Sequence, residues 1–323
     1  MSKNKNELIN IIEKYNVQVI NIINNSNSVI NKRVEQIFVI NLIRDVEKRN
    51  YIITLLKKYG INFTLVIVDF IPNDIYNELS NKMQISKSEL GCCVSHLWCL
   101  NQIIKNKLKN AIIFEDDIIL HKDFVNRFIK IYDKKPDLDF LLLGSHDNSF
   151  SEVNYKNVKN NLYKPNNESQ KLYGAHANYY SLNGAKRKFL IRTSEISFFD
   201  KEYMLMFNYF PKSYICYPNL AVSNVTASTL NHSRTILSDL ESEYYQKCFI
   251  NFNFEKYNFL YVNLLTKINL SDIDQKDTYK SVTEKYLYNY FYNFDKINAV
   301  KKRLVTDFFT IEDIKNITKK YYY

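Results

Sequence analysis

A chain of 323 residues is long enough for one large domain or two modest ones, with a core that takes roughly 75% of the unfolded surface out of water. Hydrophobic residues at 46% and aromatics at 15% exclude a disordered chain, and five Gly with five Pro exclude collagen-like or linker-dominated architectures. Lys and Arg outnumber Asp and Glu by 44 to 34, a net +10 that would suit an anionic partner, but the lysines are dispersed and nucleic acid is not expected. Abundant Lys, Asn, Ile and Tyr with sparse Ala, Gly, Pro and Arg is the bias of an AT-rich genome, viral or low-GC bacterial, and it accounts for much of the surface lysine.

Neither G-x-G-x-x-G nor G-x-x-x-x-G-K-[ST] occurs, which removes a Rossmann dinucleotide fingerprint and a P-loop. The five Cys form no C-x-x-C pair and read as reduced core thiols rather than a zinc cage or disulfide framework. The start lacks an apolar signal-peptide region, and no charge-free apolar stretch reaches the ~18–20 residues of a membrane span, so the expected location is cytoplasmic.

In chain order, residues 1–34 read as an Asn-rich amphipathic helix and a polar break, an extension outside the main fold. IFVINL (37–42) is a strand, Asp45 to Tyr59 a helix stopped by Gly60, and FTLVIVDF (63–70) a second strand. A helix follows from Ser86 to about Asn106, with Leu90, Val94, Leu97 and Ile104 on its apolar stripe. AIIFEDDIIL (111–120) reads as a strand interrupted by acids, Lys122 to Asp133 as a helix, and DFLLLGS (139–145) as a strand. After a Lys/Asn loop, LYGAHANYYSL (172–182) reads as a strand, and Asn183 as the cap of the helix GAKRKFLIRT. Near-continuous apolar strands alternating with helices predict an α/β fold, a mostly parallel sheet covered on both faces. The domain spans 35–232, and 233–323 forms a helical C-terminal region with capping boxes at Ser281–Glu284 and Thr310–Asp313, where any oligomer contact is expected.

Three clusters stand out. Glu115-Asp116-Asp117 ends an apolar strand, where buried carboxylates need pairing, protonation or a cation. Ligands collect at the carboxyl ends of such strands, and three oxygen donors suit Mn2+ or Mg2+; an exposed acidic turn is the alternative. In Ser86-Lys-Ser-Glu-Leu-Gly-Cys-Cys-Val-Ser-His (86–96), Ser86 and Glu89 form a capping box that explains both residues. Glu89, Cys92 and His96 nevertheless share one helix face, with His96 taken alone reading as a satisfied structural histidine. The third cluster, Asn41 to Arg49, sets two of the scarce arginines at a strand-to-helix junction. Arg44 and Arg49 there either hold a diphosphate or base, or balance Asp45 and Glu47 on a helix surface.

Taken in order, VINL-x-R-x-x-x-x-R, S-E-L-G-C-x-x-S-H, a strand ending in EDD, LLLGS and YGAHANYYSLNGAK resemble glycosyltransferase family 25, the lipopolysaccharide and procollagen galactosyltransferases, over roughly residues 36–232. The resemblance extends to Phe199-Asp200 and to Pro218, Asn224 and Ser228. It departs at Ile43, where the family has an acid, at Ser88, where it has Gly, and at Asn224, where it has Gln. It implies a GT-A fold and an inverting, metal-dependent transfer of galactose or glucose from a UDP-sugar to a hydroxyl of a glycan or glycoprotein acceptor. Mn2+ or Mg2+ would be held by Asp117 with Glu115 or Asp116 and completed by His232. Donor contacts are expected at Asn41, Arg44, Arg49, Glu89, Ser95 and His96. Asp200 is the candidate general base, with His146 as alternate. The rival reading is a catalytically inactive glycosyltransferase-like binding protein, favoured by Ile43 and Ser88.

Overall fold

The computed structural model describes residues 9–13, 15–25, 27–80, 85–147, 159–165, 172–194, 198–200, 203–217 and 219–223. His232, Pro218, Asn224, Ser228, the expected C-terminal helices and both of their capping boxes lie outside the described residues.

The strands are β1 (Val17–Ile22), β2 (Gln36–Leu42), β3 (Phe63–Val68), β4 (Asn110–Glu115), β5 (Ile118–Leu120), β6 (Phe140–Leu142), β7 (His146–Asp147), β8 (Leu162–Tyr163), β9 (Leu172–Tyr173), β10 (Ala177–Ser181), β11 (Ser213–Cys216) and β12 (Ala221–Ser223). The helices are α1 (Val46–Lys58), α2 (Asn73–Ser80), α3 (Lys87–Lys105), α4 (Phe124–Lys134), α5 (Leu182–Ser194) and α6 (Tyr203–Tyr209). Eight strands form one sheet in the order β1-β3-β2-β4-β10-β6-β11-β8, and β5 with β12 and β7 with β9 form two small ribbons.

Helices cover both faces, as the apolar strands require. Ile52, Leu55 and Leu56 of α1 and Phe124, Phe128 and Ile131 of α4 pack with Ile37, Val39, Ile112 and Phe114 on one side. Leu90, Val94, Leu97 and Leu100 of α3, Ala185 of α5 and Met206 and Phe207 of α6 pack with Phe38, Val66, Ile113 and Leu142 on the other. All six residues of β3 are buried, the pattern of a strand covered twice.

The sheet is mixed rather than mostly parallel. β2 runs parallel to β3 and β4, and β11 parallel to β6. β10 is antiparallel to both of its neighbours, β1 to β3, and β8 to β11. A strand buried on both faces is a continuous apolar run in either direction, so the sequence pattern does not carry strand polarity. Three further expectations change. The N-terminal segment is helical at 9–13 but continues as β1, which adds to the sheet edge beside β3. The EDD segment is two strands broken by a turn at 116–117, with β5 leaving the main sheet. The α5 cap is Ser181 rather than Asn183: its Oγ accepts from the Gly184 N–H at 3.0 Å while donating to Asp139.

The stop after α1 is as expected. Gly60 has φ +62°, its N–H donates to Lys57 O at 2.9 Å, and the Ile61 N–H donates to Leu56 O at 3.0 Å, the two bonds of a Schellman motif. Among the described residues no helix is long and apolar enough to cross a membrane.

Candidate functional site

Because β2, β3 and β4 are parallel, their carboxyl ends Leu42, Val68 and Glu115 arrive at the same edge of the sheet. A cleft of about 690 Å³, open to solvent, lies there. Its walls are Ile40 to Leu42 with Arg44, Asp45 and Lys48, Val68 to Phe70, the face of α3 bearing Lys87, Ser88, Gly91, Cys92, Ser95 and His96, and Glu115 to Asp117. The α3 N-terminus is set by the expected capping box: Glu89 N–H donates to Ser86 Oγ, and Ser86 N–H donates to Glu89 Oε2 at 2.7 Å.

The acids are held in distinct ways. Glu115 Oε1 pairs with His96 Nε2 at 2.9 Å and accepts from Cys92 Sγ at 3.5 Å. Burial would raise its carboxyl, but the hydrogen bond with His96, the interactions with the His96 and His176 imidazoles and the hydrogen bond from Cys92 outweigh that and hold it below the ordinary value. Asp116 Oδ2 accepts from Asn41 Nδ2 at 2.6 Å, and burial pushes its carboxyl up to about 6 against the pull of Lys48. Asp117 is 9% exposed and pushed up to about 8, by burial first and then by the charges of Glu115 and Asp116. Its Oδ1 is buried with no hydrogen-bond partner among the described residues. Two nearly buried aspartates beside a glutamate, with the Lys48 ammonium as the main opposing charge on the pair, form an oxygen-rich pocket whose donor set and orphaned oxygen fit a hard divalent cation.

The residues singled out in the sequence divide by task. Asn41, Arg44, Ser95, His96, Glu115, Asp116 and Asp117 all line the cleft. Arg44 lays its guanidinium 4.3 Å from the Phe70 ring centroid, at a rim where Phe70 is 37% exposed. Ser95 spends its hydroxyl on Gly91 O at 2.7 Å. Glu89 is the capping residue and lies outside the cleft lining. Arg49 is likewise outside it: its donors go to Asn41 Oδ1 at 2.7 Å, Ile43 O at 2.6 Å and Leu42 O at 3.3 Å, so it braces the β2–α1 turn and aims Asn41 at Asp116.

Asp200 is absent from the lining as well. Its Oδ2 accepts from the Gly174 N–H at 2.9 Å, and burial raises its carboxyl, with Gly174 and Lys188 opposing and Glu115 adding to the rise. His146 lies on β7, paired with Tyr173.

Several contributors were not singled out in advance. Lys48 sits one helical turn from the Asp45 cap of α1 and reaches its Oδ2 at 3.4 Å; Asp69, Phe70 and Lys87 come from the loop after β3 and the start of α3. A charged residue just past a strand's carboxyl end or in the first turn of the next helix is the signal that marks Lys48, Asp69 and Lys87. The His176 backbone carbonyl accepts from the Glu115 N–H at 2.9 Å, and burial pulls its imidazole down to about 4, so the ring is neutral at pH 7. Cys92 is free and half-buried, unlike the fully buried Cys93, Cys99 and Cys216.

A search of curated proteins finds no match. A family comparison does: residues 34–196 match the family described as glycosyltransferase family 25 (LPS biosynthesis protein), a span that contains β2 to β4, the acids at their ends and the helix bearing His96. The match covers half of the chain, and the chain belongs to glycosyltransferase family 25.

Proposed function

We propose that this glycosyltransferase has a GT-A fold and moves a hexose, galactose or glucose, from a UDP-sugar to a hydroxyl of a glycan or glycoprotein, with inversion at the anomeric carbon. The observation that carries the reading is the carboxylate cluster at the end of β4, facing a cleft of about 690 Å³ with one buried oxygen of Asp117 unpartnered. Asp117 and Asp116, with Glu115, would hold Mn2+ or Mg2+. His232 is the fourth candidate ligand. When bound, the cation supplies Lewis-acid stabilisation to the leaving diphosphate.

The chain's own groups do the rest. Asn41 fixes Asp116, and Arg49 fixes Asn41. Lys48 and Lys87 bring positive charge to the cleft wall, and the α3 N-terminus opens beside them, both favourable for phosphate. Phe70, with Arg44 across its face, offers an aromatic rim for a nucleobase. His96 and Ser95 shape the floor beneath the sugar. We assign removal of the acceptor proton to Asp200, with His146 as alternate: burial raises its carboxyl toward the range of a useful base, and it lies within the electrostatic reach of Glu115 and Cys92.

The test is UDP release from UDP-galactose and UDP-glucose with Mn2+ and a panel of hydroxyl acceptors. Wild type turns over one of them; Asp117→Ala loses turnover while its far-ultraviolet circular dichroism is unchanged; Asp200→Asn binds UDP-sugar and loses transfer by ~10²-fold or more. Ordinary activity in Asp117→Ala removes the metal assignment, and ordinary activity in Asp200→Asn removes the base.

A further inference from the structure

Beside the oxygen-only pair Asp116 and Asp117, the cleft floor holds a donor set of different chemistry. Cys92 Sγ, His96 Nε2 and a Glu115 carboxylate oxygen lie within 4.8 Å of one another. Sγ is 3.5 Å from Glu115 Oε1, and Nε2 is 2.9 Å from the same oxygen. Four-residue spacing on α3 sets Cys92 and His96 on one helix face, and Glu115 meets them from the tip of β4. The His96 ring is fixed by stacking on Phe199 at 4.3 Å between centroids. All three side chains border the cleft.

We propose that Cys92, His96 and Glu115 form a binding site for a borderline transition-metal cation of the Zn2+ type, which shares Glu115 with the carboxylate pocket but neither Asp116 nor Asp117. The inference goes beyond the sugar-transfer reading and stands without it. Tetrahedral coordination with bonds of about 2.3 Å to sulfur and about 2.0–2.1 Å to nitrogen and oxygen separates sulfur from oxygen by about 3.5 Å, and nitrogen from oxygen by about 3.3 Å. The first separation is already present, the second needs an opening of roughly 0.4 Å, and the sulfur and nitrogen, within 4.8 Å of each other, must meet at about 3.5 Å through rotation of the Cys92 side chain. Thiolate and imidazole select Zn2+ over Mg2+ and Mn2+, whereas Asp116 and Asp117 offer oxygen alone. Three protein ligands leave the fourth position turned to the cleft, the arrangement of zinc sites that accept water or a substrate oxygen. As the Sγ–metal bond forms, the thiol proton leaves to solvent. The imidazole coordinates through the Nε2 lone pair with its ring proton on Nδ1, and Glu115 exchanges a hydrogen bond for coordination. No group is oxidised or reduced.

The experiment titrates the full-length, metal-stripped protein with Co2+, whose thiolate complexes absorb in the near ultraviolet. Expected is a charge-transfer band saturating at one equivalent, displaced by Zn2+, lost in Cys92→Ser and retained in Cys248→Ser and Asp117→Asn. Zn2+ affinity measured by calorimetry falls at least about tenfold in Cys92→Ser and in His96→Gln. Absence of the band, or an unchanged band in Cys92→Ser, overturns the site. If Cys92→Ser does not fold, alkylation of Cys92 in the wild type replaces it, read by peptide mass: Zn2+ protects the thiol if the site exists, and an unaltered alkylation rate overturns it. No readout involves sugar transfer, so a failure of this site and a failure of the donor reading are distinguishable.

Discussion

Replacing Asp117 by Asn is expected to make the protein more stable and to abolish sugar transfer, and the magnitude of the first effect follows from the buried acid. Its carboxyl is raised from 3.8 to about 8 by burial and by the charges of Glu115 and Asp116. A group whose folded-state pKa is raised in this way favours the folded state when protonated, and that stability is lost as pH rises from about 4 to about 8. At pH 7 the ionisable group costs the fold on the order of 4 kcal/mol relative to a neutral one. The amide recovers only part of this, because its own unpaired polar atoms cost about 1–3 kcal/mol in a dry pocket. A net gain of about 1–3 kcal/mol at pH 7 and about 1 kcal/mol more at pH 8, or a few degrees and upward in melting temperature, is therefore expected for Asp117→Asn in chelator. The gap closes toward pH 4, where the carboxyl is protonated in both folded and unfolded chains. Mn2+ at a hundredfold excess over its dissociation constant is expected to add about 2.7 kcal/mol to the wild type alone, which offsets most or all of the gap between the two melts. Calorimetric melts at pH 4, 6 and 8, with chelator and with Mn2+, read all of this. A variant that melts below the wild type in chelator at pH 8, or a gap that grows toward pH 4, refutes the electrostatic account of the cluster.

Two further predictions concern the frame around the acids. Arg49→Ala removes the donor held by Asn41 Oδ1, Leu42 O and Ile43 O and is expected to cost about 2–3 kcal/mol and to weaken nucleotide-sugar binding, with Arg49→Lys failing to rescue because a point charge cannot span three acceptors. A wild-type melt and affinity in Arg49→Ala would remove the bracing role. Gly184→Ala places a Cβ 1.8 Å from Asp139 O, so loss of about 3 kcal/mol or of soluble expression is expected, and a normal melting temperature would show that the start of α5 can shift away from β6.

The parts of the fold written in short-range chemistry were legible: the Ser86–Glu89 box, the left-handed Gly60 and the apolar runs that became β2, β3 and β4. The burial of the acids was legible in part: Glu115-Asp116-Asp117 interrupts an apolar run, and of the two readings that allows, a covered cluster and an exposed turn, the structure has the nearly buried one. What depends on pairing partners far along the chain was not legible. β10 returns between β4 and β6 from more than sixty residues after β4, and nothing in ANYYS states which way it runs. β1 is exposed along most of its length, so its sequence lacks the continuous apolar signature of the inner strands. Arg49 shows a further limit. Scarcity and position pointed to a ligand, yet a guanidinium that satisfies backbone carbonyls has the same sequence appearance as one that meets phosphate.

β4 is hydrogen-bonded along both edges, to β2 on one side and β10 on the other, and the His176 carbonyl extends that ladder to the Glu115 N–H. The acidic tip is thus clamped at its root, and it offers any incoming molecule a stiff anvil rather than a yielding hand. The opposite wall is built differently: Asp69 and Phe70 stand on a connection and Ser88 on a first helical turn. A change of cleft shape that leaves the acidic tip in place is therefore expected from substitution at those three positions.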